Sequence, residues 1–128
     1  MRIDGRWLHG DSLAGTVLRL DEPLSFWGGL DPTSGTIIDQ AHPQAGDSMA
    51  GRVVAMAGSR GSSGTPGVLG EALRVGVGPA ALVVTKADVN LIAGAMVAEA
   101  LYDVRCPVLL VDAETFAGLA TDVTVEAG

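Results

Sequence analysis

Arg52-Val53-Val54-Ala55-Met56-Ala57-Gly58-Ser59-Arg60-Gly61-Ser62-Ser63-Gly64-Thr65-Pro66-Gly67 is the stretch whose reading decides the fold. Residues 52–57 have the length and β-branched content of a buried strand, while Val68, Leu69, Ala72, Leu73 and Val75 recur at helical spacing. Residues 58–67, between them, are therefore a strand-to-helix turn. Glycines at 58, 61, 64 and 67 permit a sharp turn and close approach of a ligand. The unpaired N–H groups that open the following helix attract negative charge. Ser62, Ser63 or Thr65 is placed to cap that helix, Pro66 suits its first turn, and Arg60 offers a permanently charged fork to a carboxylate or phosphate. The local pattern fits a capped, solvated Gly/Ser loop equally well. It has neither the phosphate-loop spacing with its Lys-Ser/Thr nor the dinucleotide fingerprint with a downstream acid.

Outward from the turn, the pattern alternates strand and helix. Gly76 and Gly78-Pro79 end the first helix, and residues 80–85 read as a second buried strand. Asp88 can cap the next helix, whose Leu91, Ile92, Ala95, Met96 and Ala98 read as core, with Gly94 adding a small-residue face for close packing. Residues 107–111 read as a third strand, 113–119 as a short helix and 123–125 as a final strand. Toward the N-terminus, residues 1–12 are mixed and polar and suggest no element, whereas residues 13–20 read as a strand. Asp31-Pro32-Thr33-Ser34-Gly35 has hairpin-tip chemistry, so residues 36–39 are expected to pair with the chain before the tip. Phe26 and Trp27 stand beside two glycines, either as a hydrophobic plug or as a wall of a site or partner contact. His42 is held extended by Pro43 and reads first as a structural hydrogen-bonder, with no second ligand-type residue at metal spacing beside it.

At 128 residues the chain is expected to be one domain, 1–128. Apolar residues make up 48%, but there are only two Phe, two Trp and one Tyr, so the core must be built from Ala, Val, Leu and Ile. This composition favours an α/β domain. Net charge is −7 and its eight basic residues are scattered, which argues against nucleic acid and anionic membranes as partners. The single cysteine, Cys106, reads as a small buried hydrophobe and by itself can hold no iron–sulfur cluster. No disulfide framework, leader-like apolar segment or apolar stretch of membrane-spanning length is evident, so a cytoplasmic location is expected.

Four ordered motifs carry a resemblance: Asp21-Glu22-Pro23-Leu24-Ser25-Phe26-Trp27-Gly28-Gly29; Asp31-Pro32 with Gly35 and Ile37-Ile38-Asp39; His42-Pro43 with Gly46; and Arg60-Gly61-Ser62-Ser63. Over about residues 13–116 the chain resembles the small subunit of the aconitase X family, a swivelling domain that pairs with a larger catalytic subunit. The resemblance implies a swivelling β/β/α domain with a barrel-like sheet and flanking helices. It further implies a heterodimeric iron–sulfur dehydratase acting on a small hydroxy-carboxylate such as 5-phosphomevalonate or cis-3-hydroxy-L-proline. The cluster is expected on the large subunit, with no cofactor or metal bound by this chain.

By the same resemblance Ser62 is the proton acceptor. Arg60, Gly61, Ser63 and Gly64 bind substrate, and His42, Phe26 and Trp27 are weaker candidates for lining the site or the subunit seam. The chain departs from the family pattern with Gly58-Ser59 before the arginine, Gln40-Ala41 after Asp39, and Gly64-Thr65-Pro66-Gly67 after the serine pair. Ordinary aconitases carry an arginine directly after that pair, so citrate is disfavoured as a substrate. The alternative from another class is a non-catalytic anion-binding or scaffold domain that keeps the swivel fold.

Overall fold

The computed structural model describes residues 1–61 and 63–128. Six strands form a sheet: β1 (Arg6–His9), β2 (Leu13–Arg19), β3 (Val53–Met56), β4 (Ala81–Val84), β5 (Val108–Leu110) and β6 (Thr124–Ala127), in the spatial order β1-β5-β4-β3-β2-β6. Strands β2 to β5 are parallel and adjacent in chain order. The antiparallel strands β1 and β6 close the two edges. The sheet curls as a half-barrel with flanking helices, in agreement with the barrel-like α/β architecture expected.

Strands β3 and β4 are buried on both faces, which is why Val53 to Met56 and Ala81 to Val84 are continuous apolar runs without alternation. Their side chains divide between two cores. Val54, Met56, Leu82 and Val84 point to the face covered by α2 (Thr65–Arg74) and α3 (Val89–Tyr102). Val53, Ala55, Ala81 and Val83 meet Leu119, Val125 and Ile3 on the other face, beside α4 (Ala113–Ala117). Helices α2 and α3 pack closely because Gly94 has no side chain. A β-carbon there would lie 3.0 Å from Leu69 Cδ2 and 3.2 Å from the Pro66 backbone. Met96, expected in the core, instead lies on the outer side of α3 and is 52% exposed.

The connection from β2 to β3 contributes to the same core as the helices. Leu24, Phe26, Leu30, Ile37 and Met49 are all fully or nearly fully buried there. Within it Phe26–Gly29, labelled α1, is a single kinked turn, because Trp27 (ψ 112°) and Gly28 (φ 78°) leave helical geometry. The tip at Asp31 forms as expected: the Asp31 carboxylate accepts from the Thr33 N–H (2.9 Å) and hydroxyl (2.7 Å), which lowers its pKa. The strand expected over residues 36–39 is reduced to isolated bridges, Leu30 with Ile37 and Thr36 with Ser48. Gly35 explains the tight path: at φ 76° it faces the Val77 carbonyl, which a β-carbon would approach to 2.3 Å. The N-terminal strand β1 had no sequence pattern of its own; its existence comes from pairing with β5.

Candidate functional site

The turn begins where β3 ends, at the carboxyl edge of the parallel strands. Its first half is held from two directions. Leu24 bridges Ser59 in parallel fashion, and the Arg60 N–H donates to the Leu24 carbonyl at 3.0 Å. The motif around residues 21–29 is thereby laid against the motif around residue 60, although more than thirty positions of chain separate their starts. On the other side, Asp88 Oδ2 accepts from both the Ser59 N–H (2.7 Å) and the Ser59 hydroxyl (2.6 Å). Ser59 is only 8% exposed, so these short charge-assisted bonds are sheltered from water. Gly58 completes the corner, since a β-carbon there would lie 2.8 Å from Lys86 Cε. The Lys86 chain thus passes over the turn and brings a second cation to it.

Arg60 projects outward. Its guanidinium Nη2 lies 3.7 Å from Glu22 Oε1, with 63% and 53% of the two side chains exposed. A pair this long and wet contributes well under about 1 kcal/mol. Exchange of Glu22 for another anion at Arg60 would therefore cost little. Gly61 is exposed, with open space where a side chain would stand. Ser62 lies outside the described residues. Ser63 is exposed, and Gly64 occupies the N-cap position of α2. Of the three expected caps of α2, Ser62 lies outside the described residues, and neither Ser63 nor Thr65 caps the helix. Gly64 is the cap residue, no side chain among the described residues caps the helix, and Pro66 sits in its first turn as expected. Thr65 is fully buried, and its hydroxyl has no hydrogen-bond partner among the described residues.

The aromatic pair splits. Phe26 is completely buried in the core beneath the helices and is a plug, with no surface to offer a ligand. Trp27 is 68% exposed and its ring lies against Gly64, where a β-carbon would meet Cε3 at 2.9 Å and Cδ2 at 3.1 Å. Trp27 therefore stands at the rim of the turn. His42 is 6% exposed and structural in its contacts. Its Nδ1 accepts from the Gln44 N–H at 3.0 Å, so Nε2 carries the proton and donates to the Glu22 carbonyl at 2.9 Å. It touches the site only by holding the chain that carries Glu22.

Sequence reasoning placed Arg60, Gly61, Ser63, Gly64 and Trp27 within reach of one another, and the structure groups them. It did not find Glu22 as the partner of Arg60, Lys86 beside Gly58, or the tie from Ser59 to Asp88. Ser59 and Asp88 are 29 positions apart and no local pattern links them. Two clefts, of about 280 and 430 Å³, are lined by Gly10, Ser12, Glu99 and Arg105 in one case and by Ile3, Asp4, Asp112 and Thr115 in the other. Neither of these two contains a described residue of the turn. Among the described residues no group of three or more His, Cys, Asp or Glu could hold a metal ion. Cys106 is fully buried, and burial pushes its thiol up to about 12. The donor set of this chain therefore does not fit an iron–sulfur cluster. Among the described residues no helix is long and apolar enough to cross a membrane.

The chain is similar to known proteins. The chain is 41% identical over 103 residues to a cis-3-hydroxy-L-proline dehydratase of Pseudomonas aeruginosa, a match covering 80% of this chain and 18% of that protein. It is 37% identical over 98 residues to a phosphomevalonate dehydratase small subunit of Methanothermobacter thermautotrophicus, covering 77% of this chain and 75% of the relative. The chain thus spans less than a fifth of the length of the first relative and three quarters of the second. Among solved structures, the holo-form of Thermococcus kodakaraensis aconitase X superposes with a TM-score of 0.83 at 28% identity, over 95% of this chain and 87% of that one. The family model for the aconitase X swivel domain matches residues 2–127, and the chain belongs to that family.

Proposed function

We propose that this chain is the small, swivelling subunit of a two-subunit dehydratase of the aconitase X type, working in the cytoplasm with a larger catalytic subunit. The reaction is elimination of water from a hydroxy-carboxylate. A base takes the proton from carbon next to the carboxylate or its vinylogue, those electrons form the carbon–carbon double bond, and the carbon–oxygen bond breaks to release hydroxide. Ser62 is the base. A serine hydroxyl is a very weak base at neutral pH, so its alkoxide needs nearby positive charge and N–H donors. Arg60 and the backbone at Gly61, Ser63 and Gly64 supply these and bind the substrate carboxylate, with Lys86 adding positive charge at the rim.

The leaving hydroxide needs a Lewis acid, for which this chain has no fitting ligands among the described residues. That role is assigned to an iron–sulfur cluster of the large subunit. The observation that carries the reading is a turn fixed at its base and exposed beyond it. The turn that bears Arg60 and the serine pair is anchored at its base by Asp88 and Leu24, while Arg60, Gly61 and Ser63 are exposed, which suits half a site whose other wall belongs to a partner. The two relatives name the substrates to test, phosphomevalonate and cis-3-hydroxy-L-proline.

The test is co-expression with a cluster-bearing large subunit, anaerobic purification and assay of water elimination on both substrates. Turnover of one that disappears in Ser62→Ala supports the assignment. Activity retained in Ser62→Ala moves the proton-acceptor role to Ser63. Absence of both complex and turnover favours the other reading, an anion-binding scaffold domain, which the same open cationic rim would also serve.

A further inference from the structure

We infer that Asp88 is a positioning residue for the reactive turn, and this rests on the assignment of that turn to the dehydratase site. Asp88 is the N-cap of α3, and Oδ1 alone performs that task by accepting from the Asn90 N–H (3.1 Å) and the Leu91 N–H (3.2 Å). Serine, threonine or asparagine would cap the helix as well. The second oxygen, Oδ2, does something a cap does not require: it accepts two donors from Ser59, the shorter at 2.6 Å. Only a carboxylate offers two oxygens with enough lone pairs for four donors at once. The residue type at 88 is thus explained by a double role.

The mechanical consequence comes from the elements on each side. Helix α3 spans Val89–Tyr102, is buried along Leu91, Gly94, Ala95 and Ala98, and packs against α2 through Gly94. Through Asp88 this rigid element grips the chain at Ser59, and Leu24 grips the next N–H, at Arg60. Arg60 and the residues after it depart from a doubly fixed point. A reacting group is held to its productive geometry by supports of this kind, and a displacement of about 1 Å can lower the rate about a hundredfold.

The decisive variant is Asp88→Ser, which keeps a helix cap and removes the reach to Ser59. Measured by amide hydrogen exchange on the full 128-residue chain, the Ser59 and Arg60 amides should exchange at least about tenfold faster, the effect expected from losing bonds to a charged group. Amides in the middle of α3, such as Ala95 and Ala98, should keep their rates. In the complex with the large subunit, kcat should fall about a hundredfold with KM little changed. Adding Ser59→Ala should then cost nothing more, because both changes remove the same contact. Unchanged exchange at Ser59 and Arg60 would overturn the inference, as would unchanged turnover in a complex that Ser62→Ala inactivates. If Asp88→Ser does not fold, Asp88→Asn serves: it preserves shape and cap but turns a donor toward the Ser59 N–H. Activity surviving Ser62→Ala would instead break the dehydratase assignment, and the exchange data would still decide whether Asp88 holds the turn.

Discussion

Helices α2 and α3 pack side by side and begin with opposite chemistry. At the start of α3 a carboxylate satisfies two backbone N–H groups of the helix and two donors of a neighbouring turn. At the start of α2 the cap residue is Gly64, and among the described residues no side chain caps the helix and the buried Thr65 hydroxyl finds no partner. The first end is internally complete and acts as an anchor. The first turn of the second carries no acidic side chain, so its positive end is not neutralised by residues of its own helix. One helix start grips the turn and the other continues from it.

The hardest test of this contrast is chemical. Ser62→Ala in the assembled enzyme should lower kcat by at least about a hundredfold, the usual minimum for losing a positioned base. Assembly, read by size-exclusion chromatography, should not change. Next in size is the support under α2. Phe26→Ala should destabilise the chain by about 3–5 kcal/mol in denaturant titration, since Phe26 is fully buried. Its neighbour, Trp27→Ala, should stay within about 0.5 kcal/mol, because that ring is mostly solvent-exposed. Near-equal effects would mean that the two aromatics do not divide between core and rim.

A smaller effect is expected from crowding the start of α2. Gly64→Ala brings a β-carbon to 2.9 Å from the Trp27 ring, so the ring must move and the tryptophan emission should shift. An unchanged spectrum would contradict the contact. Cys106 provides a pH signature of the shared core. Its thiol is raised in the folded state from 9.0 to about 12 by burial. The stability this gives is complete below pH 9 and is lost as pH rises toward 12, because the unfolded chain ionises first. At pH 8 the native protein should not react with a thiol reagent, whereas the denatured protein should react once per chain. The slightest change belongs to the far end of α2. There the exposed Arg74 side chain bonds Glu71 at 2.7 Å and lowers its pKa. Glu71→Gln should leave the melting temperature nearly unaltered at neutral pH, and any benefit of the pair should fade as pH falls below the ordinary glutamate range.

How much of this was legible beforehand depended on the range of the causes. Strands β3 and β4 and helices α2 and α3 were readable because an apolar run or a helical period lies within a few neighbouring residues. Asp88 as a cap was readable for the same reason. The strand expected at residues 36–39 was not realised. The turn chemistry of Asp31 to Gly35 was read correctly, but the chain beyond Gly35 pairs only at single positions while Ile37 sinks into the core. Met96 was misplaced because α3 is apolar on every side, so its periodicity carries no information about which face is buried. Of the candidate site, the cluster around Arg60 was visible in the motif. Phe26 as a plug was one of two readings and His42 as a structural hydrogen-bonder the first, but that the aromatic pair would split and that His42 would bond Glu22 and Gln44 was not visible.

By itself the sequence determined the alternation of strand and helix, the glycine-rich turn with its single arginine, and the family to which these motifs belong. Each is encoded by residue types close together in the chain. Only the tertiary structure decided that β1 closes an edge of the sheet, that Trp27 lies over Gly64, that Glu22 and Lys86 flank the turn, and that Asp88 holds it through Ser59. Those contacts join segments far apart in the chain. Their partners are selected by where packed elements end, and no spacing along the sequence records that.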